Sequence, residues 1–182
     1  SGFCAGQDLS ELNFTPGQMT DLGQLIDEQF NPLVRRLRAM PLPVIAAVNG
    51  VAAGAGANLA LACDIVMAAE NACFLQAFVK IGLLPDSGGT WFLPQRIGVA
   101  RAMGLAMLGE KLDAKTALSW GLIWGVYHDA KILMTEVSAM ADHLSKQPTR
   151  ALAAIKRAMH AAPTQSLDAQ LDLERDLQRE LG

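Results

Sequence analysis

Residues 43–64 read PVIAAVNGVAAGAGANLALACD, and the way this stretch is divided decides the fold. Val44 to Val48 is a short unbroken apolar run, the pattern of a strand covered on both faces, and the PLP tripeptide at Pro41 to Pro43 stops whatever helix precedes it. Asn49-Gly50 turns the chain. The glycine- and alanine-rich piece from Gly54 leads into a helix through Asn58, Leu59 and Leu61 that ends at Cys63-Asp64, after which DIVMAA reads as a second buried strand. The order is strand, tight loop, helix, strand, which is the signature of an α/β domain.

Outward from this centre, Met19 to Met40 has helical spacing, with Leu22, Leu25, Ile26, Phe30, Leu33, Val34 and Leu37 on one side and a kink expected at Pro32. ACFLQAFV at 72–79 reads as another strand, and GLLPDSGGT at 82–90 as a glycine-rich loop into a helix that begins near Thr90. Asp113 is placed to cap a short helix from Ala114 to Trp120, with Gly121 ending it. Residues Ile132 to Leu144, Thr149 to Ala161 and Leu167 to Leu181 each carry an apolar stripe. Strands come early and helices late, so the terminal helices are expected to pack over a neighbour.

The totals narrow the function. At 182 residues the chain is long enough to bury a core, and 51% hydrophobic against 18% charged residues speaks against disorder and for surface covered by partner subunits. A net charge of -3 and a pI of about 5.6 supply no basic field for nucleic acid. Cys4, Cys63 and Cys73 lie in apolar segments without CxxC spacing and read as reduced core residues of a cytosolic protein. The three histidines are scattered without metal-ligand spacing, so no metal is expected, and no long uncharged apolar run points to a membrane.

Two segments are built of small residues: SGFCAGQDL at 1–9 and the VAAGAGA loop. Such loops let a ligand oxygen reach backbone N–H groups, and two N–H donors aimed at one oxygen, one of them at a helix N-terminus, form an oxyanion hole. Close strand–helix packing explains either loop taken alone. The GxGxxG of a dinucleotide fold and the GK[ST] of a P-loop are both missing. Asp86, between a proline and a glycine pair, is either the N-cap of the next helix or a carboxylate on a pocket wall, and spacing favours the cap. On an apolar wall its pKa would rise toward neutrality, which suits a proton shuttle. Ser87 has no histidine near it in sequence to make it a nucleophile.

FCAGQDL, PVIAAVNGVAAGAGANLALACD and GLLPDSGGTWFLP, in this order and at these separations, resemble the crotonase (enoyl-CoA hydratase/isomerase) superfamily, and the likeness continues through RAMGLAMLGEKLDAKTALSWGLIWGV to the late helices. The resemblance implies a crotonase-like spiral of strand-strand-helix units with C-terminal helices. It divides the chain into an acyl-CoA-binding core over 1–125, lacking an N-terminal unit, and a helical trimerisation region over 126–182. It implies backbone N–H groups of Gln7 and Ala55 as the oxyanion donors, with Gly54 beside them, and Ala5, Gln7 and Leu9 as neighbours of the coenzyme A moiety. It also puts Asn58 and Phe78 where the family's hydratases carry two glutamates, and Asp86 where its isomerases carry a carboxylate. Trp91 joins Phe78 as a pocket wall.

Within the superfamily, NPLVRRL, AAGAGA, PDSGGTW and TQSLDAQLDLERD look like the isomerases that act on a ring-epoxidised phenylacetyl-CoA in aerobic phenylacetate breakdown. The implied reaction is acyl-CoA isomerisation to the oxepin form with Asp86 as the single acid/base. Coenzyme A enters as part of the substrate and no other cofactor is needed. The alternatives are hydration of an enoyl-CoA, a double-bond shift between 3-enoyl- and 2-enoyl-CoA, and a non-catalytic acyl-CoA-binding subunit or fragment. The implied assembly is a homotrimer or a dimer of trimers in the cytoplasm.

Overall fold

The computed structural model describes residues 2–8, 10 and 21–182. Among the described residues, six strands and eight α-helices follow one another as α1 (Leu22–Leu25), α2 (Asn31–Ala39), β1 (Ile45–Val48), β2 (Val51–Ala53), α3 (Ala55–Ala62), β3 (Ile65–Ala69), β4 (Cys73–Leu75), α4 (Gly89–Leu108), β5 (Lys111–Asp113), α5 (Ala114–Ser119), β6 (Gly125–Tyr127), α6 (Ala130–Ser145), α7 (Thr149–Ala161) and α8 (Leu167–Leu181). These strands form two three-stranded sheets, β1-β3-β6 and β2-β4-β5. The turn at Asn49-Gly50 moves the chain from the first sheet to the second, and the next unit repeats the step: Ile45 pairs with Ile65 in one sheet and Val51 with Cys73 in the other, both in parallel. Each strand–strand–helix unit thus adds one strand to each layer, which is a spiral.

Small residues let the layers approach closely. Ala46, Ala52, Ala57, Ala60, Ala62 and Ala68 are buried together with Val48, Leu61 and Val66 in one core, and α3 packs against β1, β2, α2 and α4. On the other side of the first sheet Met67 and Ala69 meet Leu133 of α6. A buried leucine such as Leu61 is worth about 1.5–3 kcal/mol over an exposed one.

Several elements differ from the sequence expectation. The Met19–Met40 helix is two helices joined by a π turn over Ile26–Phe30, in which the Asn31 N–H reaches back to the Ile26 carbonyl. The π turn directly precedes Pro32, which has no N–H to continue the ladder. Met19 and Thr20 lie outside the described residues. ACFLQAFV is a strand only from Cys73 to Leu75; Ala77–Ile81 is a 3-10 turn, preceded by the buried Gln76. Val51–Ala53 is a strand where a loop is expected, and the strands are not all early, since β5 and β6 lie late. The division expected at 125/126 passes through β6, which pairs with β3. Asp113 caps α5 as expected, its carboxylate accepting the Thr116 N–H at 2.8 Å.

Candidate active site

The opening loop is laid beside β2. Cys4 bridges Ala52 in parallel, the Phe3 N–H donates to the Val51 carbonyl at 2.8 Å, and the Ala53 N–H donates to the Cys4 carbonyl at 2.9 Å. This pairing carries residues 5–7 onto the N-terminus of α3. A Cβ on Gly6, whose φ is +87°, would sit 3.2 Å from the Ala55 nitrogen, so only glycine lets the loop come this near without strain. Ala55 is the first residue of α3, and its N–H has no intrahelical acceptor. The loop that carries Gln7 thus meets Ala55 through Gly6, bringing together two segments far apart in the chain. Gln7 and Ala55 both line one cavity of about 470 Å³, and Ala5 and Gly54 line it with them.

The 3-10 turn and the loop after it, ending on Asp86, also line that cavity. Asp86 is not the cap of the next helix, as spacing had favoured. Helix α4 begins at Gly89, and its N-cap is Gly88 in the left-handed conformation with no side-chain cap. Asp86 instead lines the cavity, and its carboxyl accepts the Ser87 hydroxyl at Oδ1, 2.9 Å. Burial pushes the Asp86 carboxyl above its ordinary 3.8, against the opposing pull of the Ser87 hydroxyl and of its own backbone. Ser87 is buried and sits at φ +49°, a conformation that costs a non-glycine residue about 1–3 kcal/mol. Its hydroxyl donates to Asp86, and no histidine hydrogen-bonds it among the described residues.

The remaining expected site residues divide. Phe78 is nearly buried and lines the cavity, its ring 3.7 Å from where a Cβ on Gly54 would lie. Asn58 does not reach the cavity: it is fully buried beneath the floor, its amide donating to the Asp86 carbonyl at 2.8 Å and accepting from Gln76 Nε2 at 2.8 Å. Trp91 is not a wall either. On the first turn of α4 it faces outward, edge-on to Phe92, under the guanidinium of Arg38 at 5.2 Å. Leu9 lies outside the described residues.

Sequence reasoning missed Lys80 and the π turn. Ile26 and Phe30 supply apolar wall, and Lys80 supplies the one cation among the described lining residues. A helical stripe gives no signal that it faces a cavity rather than a core, and Lys80 fell between the segment read as strand (72–79) and the loop read over 82–90. Of the described residues that line the cavity, Asp86 is the only carboxylate.

A cavity with apolar walls, one carboxylate and a helix N-terminus can hold a carbonyl oxygen at one side and move a proton at the other. Comparison with known proteins agrees. The model of the enoyl-CoA hydratase/isomerase family matches residues 1–182. The chain is 57% identical over 182 residues to the 1,2-epoxyphenylacetyl-CoA isomerase of Escherichia coli (strain K12), covering 100% of this chain and 69% of that protein. It is 49% identical over 180 residues to a probable enoyl-CoA hydratase of Rhodobacter capsulatus, covering 99% and 68%. The crystal structure of an enoyl-CoA hydratase from Polaromonas sp. JS666 superposes with a TM-score of 0.91 at 38% identity, covering 98% of this chain and 69% of the other. The fold is the crotonase spiral, and the chain belongs to the enoyl-CoA hydratase/isomerase family.

Proposed function

We propose that this protein isomerises an acyl-CoA thioester, with a ring-1,2-epoxidised phenylacetyl-CoA as the substrate and its oxepin form as the product. The observation that carries the reading is Asp86, the only carboxylate among the described residues lining an apolar cavity that Gln7 and Ala55 also line, with a phenyl ring and a buried amide at the two positions that the hydratase likeness assigns to glutamates. Water addition needs one group to activate water and another to deliver a proton. A proton shift needs only one.

In this reading the thioester oxygen accepts from the backbone N–H groups of Gln7 and Ala55, and the α3 dipole favours the charge that gathers there. The ring carbon–carbon bond bridged by the epoxide oxygen breaks and its electron pair enters the double bonds of the widened seven-membered ring; Asp86 takes the proton from the carbon beside the thioester, the electron pair passes toward the carbonyl, and the same carboxyl returns the proton to a ring carbon as the exocyclic double bond forms. No atom is gained or lost. Each oxyanion donor is worth about 3 kcal/mol of barrier, and the positioned carboxylate roughly 10²- to 10⁴-fold in rate. Phe78, Ile26 and Phe30 form the apolar wall for an aromatic acyl group. The coenzyme A portion extends past Ala5.

A homotrimer or dimer of trimers in the cytoplasm completes the proposal. Val99, Met103 and Met107 recur one turn apart on α4 and are 50–66% exposed, and Met159 and Leu171 are similarly open on α7 and α8. Apolar residues repeated along one helix face are what subunit contact covers. The three cysteines are unpaired, as a reducing compartment keeps them.

The test is a panel of three thioesters offered to one preparation: the phenylacetyl-CoA epoxide, a 3-enoyl-CoA and a 2-enoyl-CoA. The epoxide is expected to turn over fastest, with a slower double-bond shift in the 3-enoyl compound. Rapid water addition to the 2-enoyl compound, with no reaction of the other two, would refute the proposal.

A further inference from the structure

We infer that the buried amide pair Asn58–Gln76 is a positioning device for the reaction, holding the peptide of Asp86 so that its carboxyl faces the cavity. The inference rests on the reading of Asp86 as the acid/base group. Neither amide touches the cavity, and both are almost wholly shielded from water. Their order is dictated from one end. The Asp86 carbonyl can only accept, so Asn58 must present Nδ2 to it; Oδ1 of Asn58 then faces Gln76, which must present Nε2. A single backbone oxygen thereby fixes the orientation of two buried amides.

The surroundings are shaped for this contact. A Cβ on Gly89 would lie 2.4 Å from Asn58 Nδ2, so the start of α4 is bare where the amide passes. The Asp86 carbonyl also accepts the Gly89 N–H at 2.8 Å, and the following residue, Ser87, holds a left-handed backbone. A turn containing a strained serine persists only if neighbours over-determine it. Asn58 from α3 and Gly89 from α4 do so from two helices. Gln76, at the exit of β4, ties the assembly to the second sheet. Position 58 thus acts on the carboxylate through the main chain rather than on the substrate.

The experiment compares Asn58→Leu, Gln76→Leu and Asp86→Asn with the unaltered chain, using a 3-enoyl-CoA and the phenylacetyl-CoA epoxide, with circular dichroism and thermal midpoint recorded for each. Asn58→Leu is expected to lower kcat roughly 10- to 100-fold, the scale of a displacement of about 1 Å at the reacting group, while KM stays within about twofold. A purely structural role would lower the thermal midpoint and leave kcat of the folded fraction unchanged. Gln76→Leu, which removes only the outer link, is expected to show the same split with a smaller fall, and it carries the test alone where Asn58→Leu does not fold. Loss of turnover in Asp86→Asn with kcat unchanged in the folded amide variants overturns this inference and leaves the acid/base reading standing. Turnover surviving in Asp86→Asn overturns both.

Discussion

The hydroxyl of Ser87 donates to Oδ1 of Asp86 at 2.9 Å while the Ser87 backbone holds φ +49°. The hydroxyl stabilises the ionised carboxyl that burial disfavours, so the two effects oppose each other on one group. Ser87→Ala removes the stabilising contact and pushes the carboxyl pKa further up. Because the base acts when ionised, turnover is lost as pH falls through that pKa, and the acid limb of the kcat profile is expected to move to higher pH in the variant. Ser87→Gly moves the limb likewise but folds more stably than Ser87→Ala by about 1 kcal/mol, since glycine takes the left-handed backbone without strain. Coincident acid limbs in the native protein and Ser87→Ala would show that this hydrogen bond does not tune the base.

Asp86→Asn separates activity from stability. Turnover is expected to vanish, while acyl-CoA binding, followed by calorimetry with a non-reactive thioester, stays nearly intact because the gripping groups are backbone. The folded-state pKa of Asp86 is raised above its ordinary 3.8 by burial. Such a group favours the folded state below the unfolded pKa, and that contribution is lost as pH rises through the folded value. The neutral amide escapes this loss, so the variant is expected to melt higher than the native chain at pH 7, with the gap closing toward acid pH. A lower midpoint at pH 7 would mean that the carboxylate is held by partners rather than penalised by burial.

How much of this was legible in the residues follows from what each signal depends on. The strand–loop–helix–strand order over 44–69 was readable because continuous burial and helical spacing are local properties. The three-residue strands β2, β5 and β6 were not, since their only definition is a ladder to partners elsewhere: Val51 to Cys73, Leu75 to Lys111, Met67 to Gly125. Gln7, Ala55 and Asp86 were reached through family likeness, and the cavity brings them together. Spacing alone read Asp86 as a cap, because a proline–acid–small-residue run looks like one; the left-handed Gly88 takes that place. Trp91 carried an aromatic signal toward the pocket, yet its position on the first turn of α4 leaves it facing Arg38. Asn58 read as a failed catalytic glutamate, and nothing in a one-dimensional pattern links it to a carbonyl 28 residues away.

Gly56→Ala is the sharpest test of the oxyanion rim. Gly56 is the second residue of α3, and a Cβ there would fall 2.5 Å from the Cys4 carbonyl oxygen and 2.7 Å from the Cys4 Cβ. Alanine favours the helix, so its local propensity works for the substitution. The clash nonetheless drives the opening loop away from α3 and with it the Gln7 N–H. Loss of one oxyanion donor costs about 10²- to 10³-fold in kcat. That fall is expected in Gly56→Ala with the far-ultraviolet spectrum unchanged, whereas a kcat within about threefold of native would place the thioester oxygen elsewhere.

The last prediction concerns the anchor of the C-terminal helices. Lys156 of α7 is buried with its ammonium 2.8 Å from Asp64 Oδ2, and it also donates to the carbonyls of Leu37 and Leu42. His160, one turn on, lies 3.2 Å from Asp64 Oδ1, and the Val44 N–H donates to Oδ2 at 2.8 Å. Burial by itself would raise the Asp64 carboxyl; the contacts from His160, Lys156 and Val44 outweigh it and hold it below the ordinary 3.8. A depressed folded-state pKa gives stability that is present above about 3.8 and is lost as pH falls through the folded value. Lys156→Met fits the aliphatic space but removes the cation from a shielded carboxylate and the lysine donor from two carbonyls, so it is expected to cost about 3–5 kcal/mol at pH 7. In urea melts the gap between native and variant should narrow progressively as pH falls below 3.8 and Asp64 is protonated. A gap that stays the same size from pH 7 down to the lowest pH at which the native chain folds would assign the stabilisation to packing of the lysine stem instead of the ion pair.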